Sequence, residues 1–395
     1  MGRYTLIILA ALALTLGYFI VSTNNSKRRA FEHTIDTFEA KTLEDMAVSG
    51  ARVALNRLAK DTEWRTQQFS LRLDNTDVLV EVLDATVDTT IAPGEVLLRS
   101  TASIEDNETK QMKRAITEVT VQVGTIFSDN AWVIDDLGNT NLANGVNIRG
   151  GFHTNNNLNI VRNPIFGGPI TATGNVIYGH GNTTTYNVGY HDAVEVEQDF
   201  SDLMTPSANG FRLVGDSEIV FNGDGTMSVN GIRRTVRDGY IFYSTSPITV
   251  SGNVDCNVTI YTKDELYIPN DILYKDYSDD MLTLIAEGDL LLRAKRDSTL
   301  TIRANMYTHG DNGVVFMTDR NNPWSVTHKS HFDIFGSLVQ FSLQPIHAHR
   351  HDQPFGTSSN SDKQFDWYLA HDERLKNTVP PGMPSQFRIT NWRDI

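Results

Sequence analysis

The chain opens with an apolar run that has the length of a membrane-spanning helix. Tyr4 to Ser22 is uncharged and rich in Leu, Ile and Ala. Nineteen helical residues reach roughly 28 Å, about the thickness of the hydrocarbon layer. No clear small-residue cleavage site follows, so the pattern predicts a retained anchor. Its apolar side chains are Tyr4, Leu6, Ile7, Ile8, Leu9, Leu12, Leu14, Leu16, Phe19 and Ile20.

Helical spacing of apolar residues continues from Phe31 to about Trp64, with polar and charged residues between them. Ala47, Gly50 and Ala51 form a small-residue patch that allows close approach of another element. We expect an amphipathic helix packed on a sheet, with docking to a second helix as the alternative.

Alternation with a period of two replaces helical spacing between Thr66 and Phe127. Phe69, Leu71 and Leu73 share one face of a predicted strand. Further strands are predicted around Val78 to Val82, Glu95 to Ile104 and Ala115 to Val123. This pattern predicts a small antiparallel sheet after the helix.

From 128 to 345 the chain reads as apolar strands of a few residues, separated by Gly and Asn. Such spacing indicates a sandwich or a β-solenoid. Thr259 to Ile268 aligns position by position with Thr283 to Leu292, and both segments keep the order strand, acidic turn, strand. The spacing between them suits one coil of a parallel β-helix, so it favours the solenoid.

The predicted fold is therefore mainly β, with a long N-terminal transmembrane and amphipathic α-helix, a small antiparallel sheet and a parallel β-helix-like (β-solenoid) body. The predicted segments are 1–64 (helix), 65–127 (sheet), 128–345 (body) and 346–395 (a Pro- and aromatic-containing tail or cap). Trp367, Tyr368, Phe387 and Trp392 fit a cap over the open end of the body, or a segment that docks a partner.

Charge and cysteine content exclude several classes of function. The net charge is −14, and residues 1–30 contribute four basic and no acidic side chains, which leaves −18 for the rest. An acidic surface repels phosphate backbones, so we expect no nucleic-acid partner. The lone Cys256 excludes an intramolecular disulfide and a Cys-rich metal site.

Histidines and acidic turns are the candidate metal ligands. His347, His349 and His351 would point to one side of a strand and could hold Zn²⁺, Ni²⁺ or Cu²⁺ if the chain bends there. The alternative is a polar, solvent-facing loop. Asn222 to Gly225 and Asp276 to Asp280 could supply oxygens to Ca²⁺, although Asn-Gly and Asp-Gly are also common β-turn dipeptides.

Carboxylate pairs are the candidate catalytic groups. Asp135 with Asp136, Asp199 with Asp202, and Glu287 with Asp289 could serve a polysaccharide-cleaving β-helix if they converged on one face. The sequence contains no nucleotide-binding loop, no G-x-S-x-G motif and no Cys-His pair. We therefore expect no enzyme and no cofactor.

Two stretches resemble known bacterial envelope proteins. Gly2-Arg3-Tyr4-Thr5-Leu6-Ile7-Ile8-Leu9 resembles the class III signal of type IV pilins and PilX-type minor pilins, although Ile8 stands where pilins carry Glu. Blocks from Gly151 to Ile170 and from Ile248 to Gln340, with the ending Pro380 to Pro384, resemble an uncharacterised envelope family. That family pairs a PilX-like N-terminus with a β-helix-like domain of unknown function.

These resemblances imply a single-pass protein of the bacterial inner membrane, with its bulk in the periplasm or at the cell surface. Its partners would be the lipid bilayer and pilin-like or envelope proteins. Its role would be scaffolding or adhesion, as in proteins of pilus assembly. Lys27, Arg28 and Arg29 alone would keep the bulk in the cytoplasm, so the two signals conflict. The alternatives are a surface module that binds a glycan or a metal, and a polysaccharide lyase or hydrolase.

Overall fold

The computed structural model is mainly β, with one long N-terminal helix and parallel sheets, as the sequence predicted. The chain forms two compact units, residues 1–123 with 387–395 (the N-terminal unit) and residues 124–386 (the body). The structure describes residues 2–60, 64–65, 68–73, 76–92, 94–105, 110–137, 142, 145–179, 181, 183–196, 198–204, 209–295, 298–311, 313–318, 330–342, 365–376, 378–384 and 386–395.

The N-terminal unit combines one helix with an antiparallel sheet. Helix α1 is Gly2–Lys60, and the first four strands are β1 (Gln68–Leu73), β2 (Thr76–Asp84), β3 (Glu95–Glu105) and β4 (Met112–Gly124). They pair in chain order, each antiparallel to the next. Alternate residues of β2, β3 and β4 are buried, as the period of two predicted.

The small-residue patch of α1 packs on this sheet, as expected. Ala47 and Ala51 are fully buried, and so are Ala54 and Leu58 at helical spacing. A Cβ added at Gly50 would overlap the Ser100 hydroxyl and lie 2.6 Å from Cγ1 of Val78. Glycine at this position therefore lets the helix backbone approach β2 and β3.

The described residues of the body form strands, most of them short, and two 3-10 turns, Ser201–Met204 and Glu373–Lys376. The strands are β5 (Trp132–Asp136), β6 (Val146–Arg149), β7 (Phe152–Thr154), β8 (Leu158–Ile160), β9 (Ile165–Phe166), β10 (Ile170–Ala172), β11 (Val176–Tyr178), β12 (Val188–Tyr190), β13 (Gly210–Arg212), β14 (Ser217–Asn222), β15 (Thr226–Val229), β16 (Ile232–Thr235), β17 (Tyr240–Ser244), β18 (Ile248–Val254), β19 (Asn257–Thr262), β20 (Leu266–Ile268), β21 (Ile272–Tyr274), β22 (Met281–Ala286), β23 (Leu290–Ala294), β24 (Thr299–Arg303), β25 (Asn305–Thr308), β26 (Val314–Thr318), β27 (Ser330–Phe335), β28 (Leu338–Ser342) and β29 (Phe365–Ala370).

Ten of these strands form a sheet in the order β12-β10-β7-β5-β28-β25-β22-β19-β17-β13. Every neighbouring pair in it is parallel. The alignment of two segments seen in the sequence is the register of β19 with β22, since Thr259 pairs with Thr283. Leu266 of β20 pairs with Leu290 of β23 at the same offset.

The first strand of the body lies inside this sheet, not at its edge. β5 pairs with β7 on one side and with β28 on the other, where Trp132 is in register with Leu338. In the second large sheet β6 likewise pairs with β29, and Trp367 is in register with Val146. We call these two pairings the joint, because they connect the beginning of the body to its end.

Glycines at two corners permit the close approach of chain segments next to the joint. Gly150 has a φ of +145°, and an added Cβ would lie 2.8 Å from the Cβ of Ala131. Gly336 has a φ of +152°, and an added Cβ would overlap the carbonyl oxygen of Ala304. Both positions therefore require glycine for backbone conformation and for space.

Both faces of the ten-stranded sheet are covered. Ile134, Leu284 and Leu338 belong to the large core cluster on one face. On the other face a second cluster contains Val133, Tyr261, Ile285, Tyr307 and Val339 of the sheet, together with Val196, Phe200, Leu203, Leu375 and Met383 from connecting segments. The connection between β12 and β13 thus packs across the sheet, which explains why both alternating rows of β22 are buried.

The C-terminal residues that the structure describes form strands where the sequence suggested a tail or cap. Trp367 is buried in β29, and the last strand, β30 (Gln386–Asp394), is the fifth strand of the N-terminal sheet, beside β4.

An ion pair connects β30 to β4. Burial would raise the pKa of the Glu118 carboxyl on β4, but Arg99 and Arg393 outweigh the effect of burial and lower that pKa. Nε of Arg393 on β30 donates to Glu118 at 2.8 Å.

Replacing Gly50 with alanine tests the helix-on-sheet packing. In an open helix the change from glycine to alanine is favourable by up to about 1 kcal/mol. At Gly50 the added methyl group meets Ser100 and Val78, so we expect Gly50→Ala to destabilise the N-terminal unit by about 1–3 kcal/mol. Thermal unfolding of the full chain in detergent measures the difference.

Gly17→Ala is the matched control, because nothing lies within 4 Å of its added Cβ on the same helix. It should leave the unfolding temperature unchanged or raise it. Equal effects of the two substitutions would contradict the packing of α1 against β2 and β3.

Candidate functional site

The N-terminal part of α1 exposes large apolar side chains on two opposite sides. Leu12, Leu16, Phe19 and Ile20 are each more than half exposed and lie within an arc of about 100° around the helix. On the opposite side, Leu14, Tyr18 and Val21 are also more than half exposed. A helix with apolar side chains on opposite sides is typical of a protein core or of a membrane span. The other predicted anchor residues, Tyr4, Leu6, Ile7, Ile8 and Leu9, lie outside the side chains that the structure describes.

Measured over the described residues, no helix reaches the length and hydropathy required of a membrane span.

Farther along α1 the exposed apolar residues form one stripe, Phe31, Ile35 and Phe38. By helical geometry this stripe points about 150° away from the buried stripe that includes Leu43 and Ala47. The helix therefore carries two apolar surfaces, and the sheet covers one of them.

The predicted metal ligands His347, His349 and His351 lie outside the residues that the structure describes, and their metal binding stays a prediction. Within the described ranges there is no group of three or more His, Cys, Asp or Glu side chains that could hold a metal ion.

The two acidic turns have the β-turn roles that were the alternative to calcium binding. The turn Asn222 to Gly225 joins β14 to β15 in an antiparallel hairpin. Asp224 accepts hydrogen bonds from Arg233 and from the hydroxyl of Thr226. In the second turn the backbone N–H of Asp276 donates to Asp280 at 2.6 Å. These carboxylates are engaged within their own turns.

Each candidate carboxylate pair has at least one member engaged in a hydrogen bond. Asp135 accepts from Nδ2 of Asn155 at 2.6 Å, and Asp136 accepts from Nδ2 of Asn156 at 2.6 Å. Glu287 accepts from the hydroxyl of Tyr261, and Asp199 accepts from the backbone N–H of Ser201 at 2.8 Å. The polysaccharide-cleaving alternative stays a hypothesis.

A cleft of about 640 Å³ lies within the N-terminal unit, between α1, β4 and the end of the chain. Its lining includes Asp36, Leu43, Lys113, Thr117 and Ile395. Nζ of Lys113 lies 3.0 Å from Asp36 and 2.7 Å from Glu39, so its charge is neutralised by the helix. The arrangement ties α1 to β4.

The body contains a half-buried polar cluster, around the buried His153, that the sequence did not reveal. The amide of Asn155, just after β7, clamps the backbone of Val194 in the connection between β12 and β13. Its Nδ2 donates to the Val194 carbonyl at 2.7 Å and to Asp135 Oδ1 at 2.6 Å. Its Oδ1 accepts the Val194 N–H at 2.8 Å and lies 2.8 Å from His153 Nε2.

This clamp fixes the tautomer of His153. Because Asn155 Oδ1 is an acceptor, Nε2 of His153 carries the proton, and Nδ1 accepts from Thr171 Oγ1 at 2.9 Å. Burial lowers the pKa of His153, the hydrogen bond to Asn155 raises it, and the His191 ring, 5.4 Å away, lowers it again. The net shift is downward, so this imidazole is neutral at pH 7.

Sequence patterns could not locate this cluster, because its members come from three strands and one connection. The signal available was Gly151-Phe152-His153-Thr154-Asn155 alone, which was assigned to a family resemblance. Pairing of β5, β7 and β10 brings Val133, His153 and Thr171 into one row. These three residues form a row only because β5, β7 and β10 are neighbours in the sheet, and the sequence did not indicate that strand order.

Comparisons with known proteins add a similarity at the level of structure. No protein-family model and no curated protein matches the sequence. The competence-associated pilin ComZ from Thermus thermophilus is similar to 91% of this chain, and the match covers 97% of that chain, at 12% sequence identity and a TM-score of 0.31. A score at that level supports no conclusion about function.

Lowering the pH should decrease the stability of the body, because His153 becomes protonated more readily in the unfolded chain than in the folded one. Its folded-state pKa is below the ordinary 6.5, so the unfolded chain binds the proton more readily and stability falls as the pH drops through about 6.5. The titratable groups near the ring are His191 and, through Asn155, Asp135. We expect the unfolding temperature to decrease more between pH 7.5 and 5.5 in the wild type than in His153→Gln. Equal decreases would contradict the buried neutral imidazole.

Proposed function

We propose that this chain is a membrane-anchored structural subunit of the bacterial envelope, a scaffold or adhesion protein of pilin-like plan. The observation that carries the proposal is the exposed apolar surface around α1 from Leu12 to Ile20. The surface continues the uncharged run that starts at Tyr4. In this proposal the helix attaches the protein to the membrane.

The free energy available from burying these side chains supports attachment through this part of the helix. Full burial of one Leu, Ile or Phe side chain stabilises by about 1.5–3 kcal/mol. Five such side chains, each more than half exposed, leave roughly 5–10 kcal/mol to be gained from an apolar partner. A hydrocarbon layer surrounds a helix and would cover Leu14 as well as the other four side chains, which lie on the opposite side.

The proposed location is the inner membrane, with a single span and the bulk in the periplasm or at the cell surface. The resemblance of Gly2 to Leu9 to pilin signals supports export. Lys27, Arg28 and Arg29 follow the apolar run after four polar residues and would lie at the level of the lipid headgroups. The stripe Phe31, Ile35 and Phe38 lies beyond them and would be available to pilin-like or envelope partners.

We further propose that the body is a β-solenoid that acts as a rigid spacer. Parallel pairing of β17, β19, β22, β25 and β28 in succession supports this assignment. Each such strand adds to one apolar core, which includes Phe242, Ile260, Leu284 and Met306. A stack held by mutual burial projects a surface away from a membrane without further ligands or cofactors.

Flotation with phosphatidylcholine vesicles tests the attachment. The wild-type chain, transferred from detergent, should float with the vesicles. In Leu12→Asp/Leu14→Asp each carboxylate costs about 2.5–3.5 kcal/mol near the middle of a membrane helix, so the floated fraction should fall at least 100-fold. Zwitterionic lipid removes any contribution from net charge.

The matched control is Val214→Asp/Ile232→Asp, at two exposed apolar positions of the body. It adds the same charge and should float like the wild type. Flotation of the helix variant, or loss of flotation in the control, would contradict attachment through α1.

A further inference from the structure

At one end of the body the last strands pack Phe166, Val176 and Val188 on the core but leave two inward-row tyrosines exposed. Strands β9, β11 and β12 each have a paired neighbour on one side only among the described residues. In the strands beneath, Ile160 and Ala172 are buried. Tyr178, in register with Ile160, is 44% exposed, and Tyr190, in register with Ala172, is 75% exposed.

Local cover at this end is partial. The ring of Tyr186 packs edge-on against Phe166 with centroids 5.3 Å apart, and its hydroxyl donates to the Pro164 carbonyl at 2.6 Å. Four large apolar side chains of the last strands remain exposed. Tyr178 and Tyr190 continue inward rows, whereas Ile165 and Ile177 continue the outward rows of the half-buried Asn147 and Asn159. We call these four the terminal patch: Ile165, Ile177, Tyr178 and Tyr190.

The opposite end of the body is closed differently. There β14, β15 and β16 form antiparallel pairs, and Met227 and Val229 of β15 are buried. The outermost strand, β16, carries the exposed Arg233 and Arg234. Charged side chains on an edge strand are a common protection against strand addition.

Charge distinguishes the terminal patch from the rest of the surface. No Asp, Glu, Lys or Arg occurs between Arg162 and Asp192, although the chain carries a net charge of −14. Two copies of so acidic a chain repel each other over most of their surfaces. They can meet with less repulsion through this end, where Asp192, with its carboxylate 3.5 Å from the Tyr190 hydroxyl, marks the edge of the uncharged stretch.

We propose that the terminal patch is a homodimer interface, in which a second copy of the chain binds through the same patch. In a two-fold symmetric dimer, Tyr178 and Tyr190 of both copies become buried. Each unpaired strand edge then lies against the other copy. A head-to-tail arrangement would instead place the arginine-bearing edge of β16 against the patch. The observations therefore favour the symmetric pair.

Cross-linking of the full chain in dilute detergent, with micelles in excess, tests the interface. Tyr190→Cys and, separately, Ile177→Cys place a thiol in the patch, and a short bis-maleimide should convert most of each variant to a covalent dimer. Native Cys256 is buried, and burial raises its pKa to about 12, so it does not compete. Ile232→Cys, exposed at the opposite end, is the control and should stay monomeric.

A second measurement tests whether the chains associate in the absence of a cross-linker. Ile177→Glu/Tyr190→Glu should convert dimer to monomer in analytical ultracentrifugation, whereas Ile232→Glu should not, with unfolding temperatures unchanged in both. Three outcomes would overturn the proposal. They are a wild type that is monomeric and unlinked, linkage only in a mixture of Tyr190→Cys with Ile232→Cys, and a monomer whose patch binds a neutral polysaccharide.

Discussion

The joint between the beginning and the end of the body is the constraint on which the remaining structure depends. Trp132 of β5 is fully buried there, with its ring 4.3 Å from that of Trp367 and 5.4 Å from that of Phe152. Aromatic pairs of this kind contribute about 0.5–1.5 kcal/mol each beyond burial of area. Without the joint, β5 to β12 would be a separate short stack with two open ends.

Closing the joint brings together residues far apart in the chain, such as Trp132 and Leu338. The entropy of closing a loop grows only with the logarithm of its length, so a loop of this size costs about 5 kcal/mol plus a constant. Burial of aromatic side chains and pairing in both large sheets offset that cost. The same closure leaves the two outer ends, β12 and β13, as the edges of the ten-stranded sheet.

Much of the local structure could be predicted from the sequence. Alternation located β1 to β4, and the similarity of two segments gave the register of β19 with β22. Strand order could not be predicted, because the separation along the chain between paired strands is not constant. It is much shorter between β7 and β10 than between β25 and β28, so no fixed period marks the partners.

The strands β29 and β30 were missed for a related reason. Part of their pairing is with strands from much earlier in the chain, β6 for β29 and β4 for β30. A strand whose partner is remote in sequence leaves no local pattern that identifies that partner.

The candidate sites show the same limit. The metal and carboxylate candidates were selected as sequence neighbours, whereas the clamp of His153, Asn155 and Val194 is assembled by strand pairing and a connection. The surface of α1 was easier to anticipate, since helical spacing alone decides which side chains share a face. Its apolar N-terminal part was predicted from Tyr4 to Ser22, and attachment to a membrane stays a prediction.

Amide hydrogen exchange at the joint tests this account most directly. The backbone N–H of Leu338 donates to the Ala131 carbonyl at 2.8 Å, and that of Trp367 donates to Gly145 at 2.7 Å. The account predicts that both amides exchange as slowly as that of Met306 inside the sheet, within about tenfold, because all three open only with the whole body. Exchange at Leu338 and Trp367 as fast as at the edge strand β12 would show that the body does not close at Trp132.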